Sequence, residues 1–226
     1  MRNSTLLRNL ITILFLLLLS VAPVFAADFQ KGLDAALRGD FATAQQEWRP
    51  LAEQGNAVAQ YNLGQMYRNG DGVTEDDSQA VYWYKKAAEQ GHAKAQYNLG
   101  VMYSYGEGVA EDDTQAVYWY KKAAEQGDAA AQYNLGNMYD FGKGVTEDDT
   151  QAVYWYRKAA EQGVAIGQWS LATMYQYGEG VAEDDTQAVY WYRKAAEQGN
   201  THAQFSLGLM YDFGYGVAED DTQAVY

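Results

Sequence analysis

An all-α solenoid of 36-residue helix-turn-helix repeats is the fold this sequence predicts, and three observations predict it. The tripeptide Glu-Gln-Gly recurs with its glycine at Gly55, Gly91, Gly127, Gly163 and Gly199, each 36 residues from the last. A period in this range is the mark of stacked supersecondary units. Asp-Asp-(Ser/Thr)-Gln-Ala-Val-Tyr appears five times, and Ala-Val-Tyr-Trp-Tyr in the first four copies. Each copy also carries two apolar stripes of helical period, each followed by residues that stop helices. From Glu53 the copies run 53–88, 89–124, 125–160, 161–196 and a shortened 197–226.

The first helix of a copy spans about 57–69, where Gln60, Leu63, Gly64 and Tyr67 step i, i+3, i+4, i+7 along one face. Gly70 suits the left-handed position past its end. A loop over 71–75 leads to the second helix. Asp76 and Gln79 are spaced as a capping box, with the acceptor at the N-cap and the amide three residues on. Ala80, Trp83, Tyr84 and Ala87 repeat the helical step, and Lys85 and Lys86 sit in the last turns, where the helix dipole favours cations. Two helices with one stripe each bury it only by stacking on the next copy. Gly64, Ala80 and Ala87 allow close approach, and Trp83 and Tyr84 fill the space between layers. Tyr82 falls on the more exposed side.

Composition limits the function. The 226 residues carry 16 Lys+Arg against 30 Asp+Glu, a formal net charge of −14. Such a surface repels phosphate backbones and anionic lipid, which argues against nucleic-acid and membrane-surface roles and leaves basic proteins, cations or neutral ligands as partners. There is no cysteine, hence no disulfide, thiolate metal site or cysteine nucleophile. Residues 1–26 read as a secretory signal peptide: Arg2 and Arg8, an apolar run from Leu10 to Leu19, Pro23, and small residues before a cut after Ala26. An uncleaved anchor is the other reading of this run. Cleavage would leave 14 basic and 30 acidic residues, a charge of −16, in an exported, soluble protein, periplasmic or secreted.

The pattern Ala-Gln-Tyr-Asn-Leu-Gly-Gln-Met-Tyr (59–67), Gly-Asp-Gly-Val (70–73) and Ala-Val-Tyr-Trp-Tyr-Lys-Lys-Ala-Ala (80–88) resembles the Sel1-like repeat family, a relative of tetratricopeptide repeats. It returns at 95–124, 131–160 and 167–196, with Ala172 where the other copies have glycine. The resemblance covers residues 53–226. It implies a right-handed α/α superhelix that binds other proteins. Some cysteine-rich members of the family have been discussed as β-lactamases, but this chain lacks their paired cysteines.

Residues 27–52 read as a divergent opening helix pair. A shift of 36 puts Ala44 under Ala80, Trp48 under Tyr84 and Ala52 under Ala88, and Pro50 replaces a lysine and is expected to bend its helix. At the other end the chain stops at Tyr226, inside the second helix of copy five. That leaves the stripe over about 201–213 uncovered, which reads as a fragment of a longer array or as an edge that meets a partner.

Glu75-Asp76-Asp77 and its four counterparts supply 15 of the 30 acidic residues, but lack the alternate spacing of a calcium loop, so helix capping and a solvated edge explain them. Five near-identical copies offer no single special site for a carboxylate pair. No Ser/His/Asp order, GxGxxG or P-loop occurs. His92 and His202 occupy different repeat positions and read as solvated turn residues. No catalytic residue, metal or cofactor is assigned.

Differences between copies point elsewhere. The second helices hardly vary, whereas the first helices vary at four steps of one face. Step one holds Val58, Lys94, Ala130, Ile166 and His202, and step two holds Tyr61, Tyr97, Tyr133, Trp169 and Phe205. Step three holds Gln65, Val101, Asn137, Thr173 and Leu209, and step four holds Arg68, Ser104, Asp140, Gln176 and Asp212. Spacings of 3, 4 and 3 residues put these on one stripe. In helical-hairpin solenoids the first helices line a concave groove. Steps two to four are therefore the expected partner-binding residues, with an aromatic ladder at step two. Drift among duplicated copies, and rings that are partly core, are the plainer readings of the same pattern. The function this implies is an exported scaffold or adaptor that binds a protein or peptide of the cell envelope. A cell-wall carbohydrate or peptidoglycan binder is the alternative, and a hydrolase the third.

Overall fold

The computed structural model describes residues 27–218 and 220. The expected signal peptide, and all but Asp220 of the stretch that opens the fifth second helix, lie outside them. Eleven helices occur among the described residues, with no strand. An opening pair, α1 (Phe29–Leu37) and α2 (Phe41–Glu53), precedes four repeat pairs. These are α3 (Ala57–Asn69) with α4 (Asp77–Glu89), α5 (Ala93–Tyr105) with α6 (Asp113–Glu125), α7 (Ala129–Asp140) with α8 (Asp149–Glu161), and α9 (Ala165–Tyr177) with α10 (Asp185–Glu197). The first helix of the fifth copy is α11 (Thr201–Asp212). Each helix packs on its neighbours in the chain, building an α/α solenoid.

The expected signals place the helix ends, with one change. Gly70 ends α3 at φ 72°, and Asp76 caps α4 by accepting from the Gln79 N–H at 3.0 Å. The return half of the capping box is absent, because the Asp76 N–H donates to the Tyr67 carbonyl at 2.9 Å instead. The same bond recurs from Asp112 to Tyr103, Asp148 to Tyr139 and Asp184 to Tyr175, so each N-cap is tied to the first helix of its own repeat. Within the acidic triplet, Asp76 is therefore a cap and Asp77 lies in the first turn of α4.

The core forms successive layers. Tyr84 is fully buried beside Ala80, Ala87, Leu99 and Met102, and Trp119 of the next second helix reaches into the same cluster. Trp83 likewise enters the layer before its own, with Ala35, Ala44 and Trp48. Thus the invariant tyrosine fills its own layer and the invariant tryptophan interlocks with the previous one. In α2 the equivalent of that tryptophan is Glu47, whose carboxylate accepts from the Asp28 N–H at 2.9 Å and from Lys31. The side chain that would interlock backwards is used here to hold the start of α1. Ala44, Trp48 and Ala52 are buried like Ala80, Tyr84 and Ala88. The helix α2 continues through Pro50 to Glu53.

Two further contacts hold the layers in register. Gln96 is buried, donates to the Ala88 carbonyl at 3.0 Å, and accepts from Gln126 at 2.7 Å. It therefore ties two successive second helices together, and Gln126 is the glutamine of the recurring Glu-Gln-Gly. The second glycine of each Gly-Xaa-Gly loop is the other contact. At Gly144 (φ 65°) a Cβ would lie 2.2 Å from the Asp113 carbonyl oxygen of the preceding repeat. Only a residue with no side chain lets the loop rest on that helix start.

Candidate interaction groove

The first helices bring the varying residues to one face, but the aromatic ladder is less open than expected. Tyr61, Tyr97 and Tyr133 are half-buried, with ring centroids 5.9, 6.1 and 5.9 Å from Tyr84, Tyr120 and Tyr156. Trp169 packs against the layer of Tyr192, and of the five only Phe205 is exposed. The step-two rings are thus walls between layers rather than free platforms. An aromatic ring on the seam of two layers loses water on both faces.

Steps three and four lie over these rings. Gln65 donates to the Tyr61 hydroxyl at 2.7 Å and accepts from the Tyr84 hydroxyl at 2.7 Å. Asn137 donates to the Tyr133 hydroxyl at 3.0 Å, and Tyr156 donates to Asp140 at 2.9 Å. Tyr192 donates to Gln176 at 2.7 Å and lies 3.1 Å from the Thr173 hydroxyl. In these three layers the core ring that recurs in every repeat therefore presents its hydroxyl to residues that differ copy by copy. Val101 packs against a core cluster, Ser104 is half-buried, and Leu209 and Asp212 on α11 are exposed. Arg68 donates to Glu107 of the next repeat at 3.1 Å, an ion pair across the seam. Step one is exposed throughout.

Two clefts open between first helices. The one between α5 and α7 is about 170 Å³, lined by Ser104, Tyr105, Tyr120, Asn134, Asn137, Met138, Phe141 and Lys143. The one between α7 and α9 is about 380 Å³, and there Tyr133, Asn137, Asp140, Trp169 and Thr173 meet Phe141, Tyr156, Ser170, Met174 and Glu179. Burial pushes the Asp140 carboxyl above its ordinary pKa, opposed by the Tyr156 hydrogen bond and reinforced by Asp149 and Glu147. Burial likewise raises Tyr61, Tyr97 and Tyr133, keeping them neutral donors and acceptors.

The residues that sequence reasoning missed are at the helix ends. Tyr105, Phe141, Tyr177 and Phe213 are 59–71% exposed, a row of rings along the edge of this face. Their signal was present: the position before the loop glycine stays aromatic in copies two to five while changing identity. His92 also differs from expectation. It is half-buried, its Nδ1 accepts from the Ala95 N–H at 3.2 Å as the cap of α5, and its ring stacks on Tyr61 at 4.6 Å. Desolvation, with Lys94 nearby, holds its pKa below 6.5. His202 is exposed, its ring 5.4 Å from Trp169. Among the described residues no group of three or more His, Cys, Asp or Glu is arranged to hold a metal. None of their helices is long and apolar enough to cross a membrane.

The Sel1 repeat model matches residues 57–92, 93–128, 129–164, 165–200 and 201–226. The chain belongs to the Sel1 repeat family. Sel1 repeats are in general protein-interaction modules, and the family's phase begins each unit at the first helix, four residues after the Glu-Gln-Gly start used above. The chain is similar to c5321 of uropathogenic Escherichia coli, described as a protective antigen displaying this fold. The two are 43% identical with a TM-score of 0.83, covering 88% of this chain and 44% of that one. This Sel1 array thus spans less than half the length of that relative. A Sel1 repeat protein from Oxalobacter formigenes is 36% identical with a TM-score of 0.84, covering 88% of this chain and 82% of that one. The immunity protein PA5088 from Pseudomonas aeruginosa shares the fold, at 20% identity, a TM-score of 0.53, and coverage of 90% of this chain and 84% of that one. No curated protein matches the Sel1 chain.

Proposed function

We propose that this protein is an exported scaffold that binds a protein or peptide of the cell envelope along the face formed by its first helices. The observation that carries the reading is the division of labour within each repeat. The second helices and the glutamine pairs that tie them together are nearly uniform, while residues that differ copy by copy line two clefts edged by exposed rings. Rigid aromatics around an adaptable polar floor suit a protein interface. Export rests on the charge and apolar pattern of residues 1–26. The description of the c5321 relative as a protective antigen fits a protein that leaves the cytoplasm.

The test is site-specific photo-cross-linking. A benzoylphenylalanine placed at Phe141, on the cleft edge, is expected to capture a discrete protein from envelope extract, and the same group at Tyr118, on the exposed side of a second helix, to capture none. Capture from Tyr118 alone, or equally from both, overturns the groove reading. The exposed row of Tyr105, Phe141, Tyr177 and Phe213 also favours a second reading, stacking on cell-wall sugars. Co-sedimentation with purified, protein-free peptidoglycan that is lost in Phe141→Ala would establish that reading instead.

A further inference from the structure

One seam position changes its chemistry along the array. Arg68 and Glu107 are 39 residues apart and form an ion pair across the seam of two repeats at 3.1 Å. The same repeat positions one layer on hold Ser104 and Lys143, and one layer further Asp140 and Glu179. The last pair is two carboxylates, and both line the 380 Å³ cleft between α7 and α9. Neither has a lysine or arginine ion-pair partner among the described residues. The charges of Asp149 and Glu147 also act on Asp140 and deepen the negative field. The remaining walls include the rings of Tyr133, Phe141 and Trp169. A cleft of a few hundred Å³ with apolar walls and a few placed polar groups is the ordinary form of a binding site. Aromatic faces beside carboxylates select a flat cation, which stacks on the rings and bonds the oxygens.

We propose that the cleft between α7 and α9 receives an arginine side chain of a partner protein, with Asp140 and Glu179 as its carboxylate partners and Phe141 and Trp169 as its walls. The guest guanidinium does from outside what Arg68 does from inside two layers earlier. This deepens the groove reading above and rests on it, giving the partner a basic residue at one defined register.

The test uses two small probes, N-acetyl-arginine methylamide and its uncharged isostere N-acetyl-citrulline methylamide. They are titrated into the ¹⁵N-labelled chain. The readout is the Trp169 indole N–H, one of six indoles in the sequence and assigned through Trp169→Phe. That N–H has no protein hydrogen-bond partner, so its resonance follows changes at the cleft wall. The arginine probe is expected to bind saturably and about tenfold more tightly than the citrulline probe, in the range of a partly desolvated cation over aromatic faces. The preference is expected to vanish in Asp140→Asn/Glu179→Gln, which keeps an acceptor for Tyr156. Asp140→Arg is expected to pair with Glu179, as Arg68 pairs with Glu107, and to abolish arginine binding with helical circular dichroism unchanged. Equal binding of both probes, no saturable shift with either, or a preference that survives the double variant overturns the proposal. Capture from Phe141 in the photo-cross-linking experiment would still support the groove itself, so the two failures are separable.

Discussion

Gln126 donates to Gln96 at 2.7 Å across the seam between two second helices, and Gln96 passes the connection on to the Ala88 carbonyl at 3.0 Å. Four such pairs run along the array, at Gln60–Gln90, Gln96–Gln126, Gln132–Gln162 and Gln168–Gln198. The near-isosteric Gln96→Met removes both bonds while filling the site. It is expected to cost about 1–3 kcal/mol, two hydrogen bonds at roughly a kcal/mol each. Urea unfolding of both chains checks this, and an unchanged midpoint would remove the clamp from the account of stability.

The two glycines of one loop are expected to respond differently. At Gly142 (φ 60°) an added Cβ meets the Glu147 Cβ at 3.3 Å, whereas at Gly144 (φ 65°) it meets the Asp113 backbone at 2.2 Å. Gly142→Ala then carries mainly left-handed strain, about 1–2 kcal/mol. Gly144→Ala adds a clash with fixed backbone and should cost about 3 kcal/mol or more, since the seam must open. Equal losses in thermal melts of the two variants would contradict this.

The helix α9 has a missing cap. Asn56, His92, Asp128 and Asn200 each accept a hydrogen bond at the start of a first helix, while Val164 at the same position makes none. Val164→Asp is expected to stabilise the chain by about 1 kcal/mol, a rise in melting temperature of about 2–4 °C for a chain of this size. Calorimetry decides it. No gain would mean that the lost packing of Val164 offsets the cap.

Mild acid should weaken the His92 cap of α5. The His92 pKa is lowered in the fold, chiefly by desolvation, so the unfolded chain takes up the proton more readily. Its stabilising contribution is complete above about pH 6.5, the unfolded value, and is lost as pH falls through the lower folded value. Protonation also removes the lone pair with which Nδ1 accepts the Ala95 N–H. His92→Asn, whose oxygen does not titrate, should unfold with less pH dependence between about pH 7.5 and 5. The gap is bounded by the worth of one cap, about 1 kcal/mol. Parallel stability curves for the two chains would rule the switch out.

Much of the fold was legible because it is written at short range. Asp76, Gly70 and the step from Ala80 to Ala87 act within one or two helical turns, so spacing alone locates them. Trp83 and Tyr84 read as core for the same reason, but adjacent residues on one helix do not reveal that they belong to different layers. The glutamine of Glu-Gln-Gly was visible as a repeated letter without a role, because its partner lies 30 residues away. The candidate site was legible as a stripe of variation. How open each step is was not, since Tyr133 and Phe141 are both aromatic in sequence and only stacking half-buries one and exposes the other.

The period, the helices, their ends and the side that varies are all set by capping, helical spacing and the need to cover an apolar stripe, and so can be read along the chain. Which residues of different layers face one another depends instead on how the repeats stack. The meeting of Arg68 with Glu107, and of Asp140 with Glu179 in one cleft, follows from how far each repeat is displaced on the last. That displacement comes from the packing of tryptophans, glycines and glutamines at the seam, and no spacing along the chain states it.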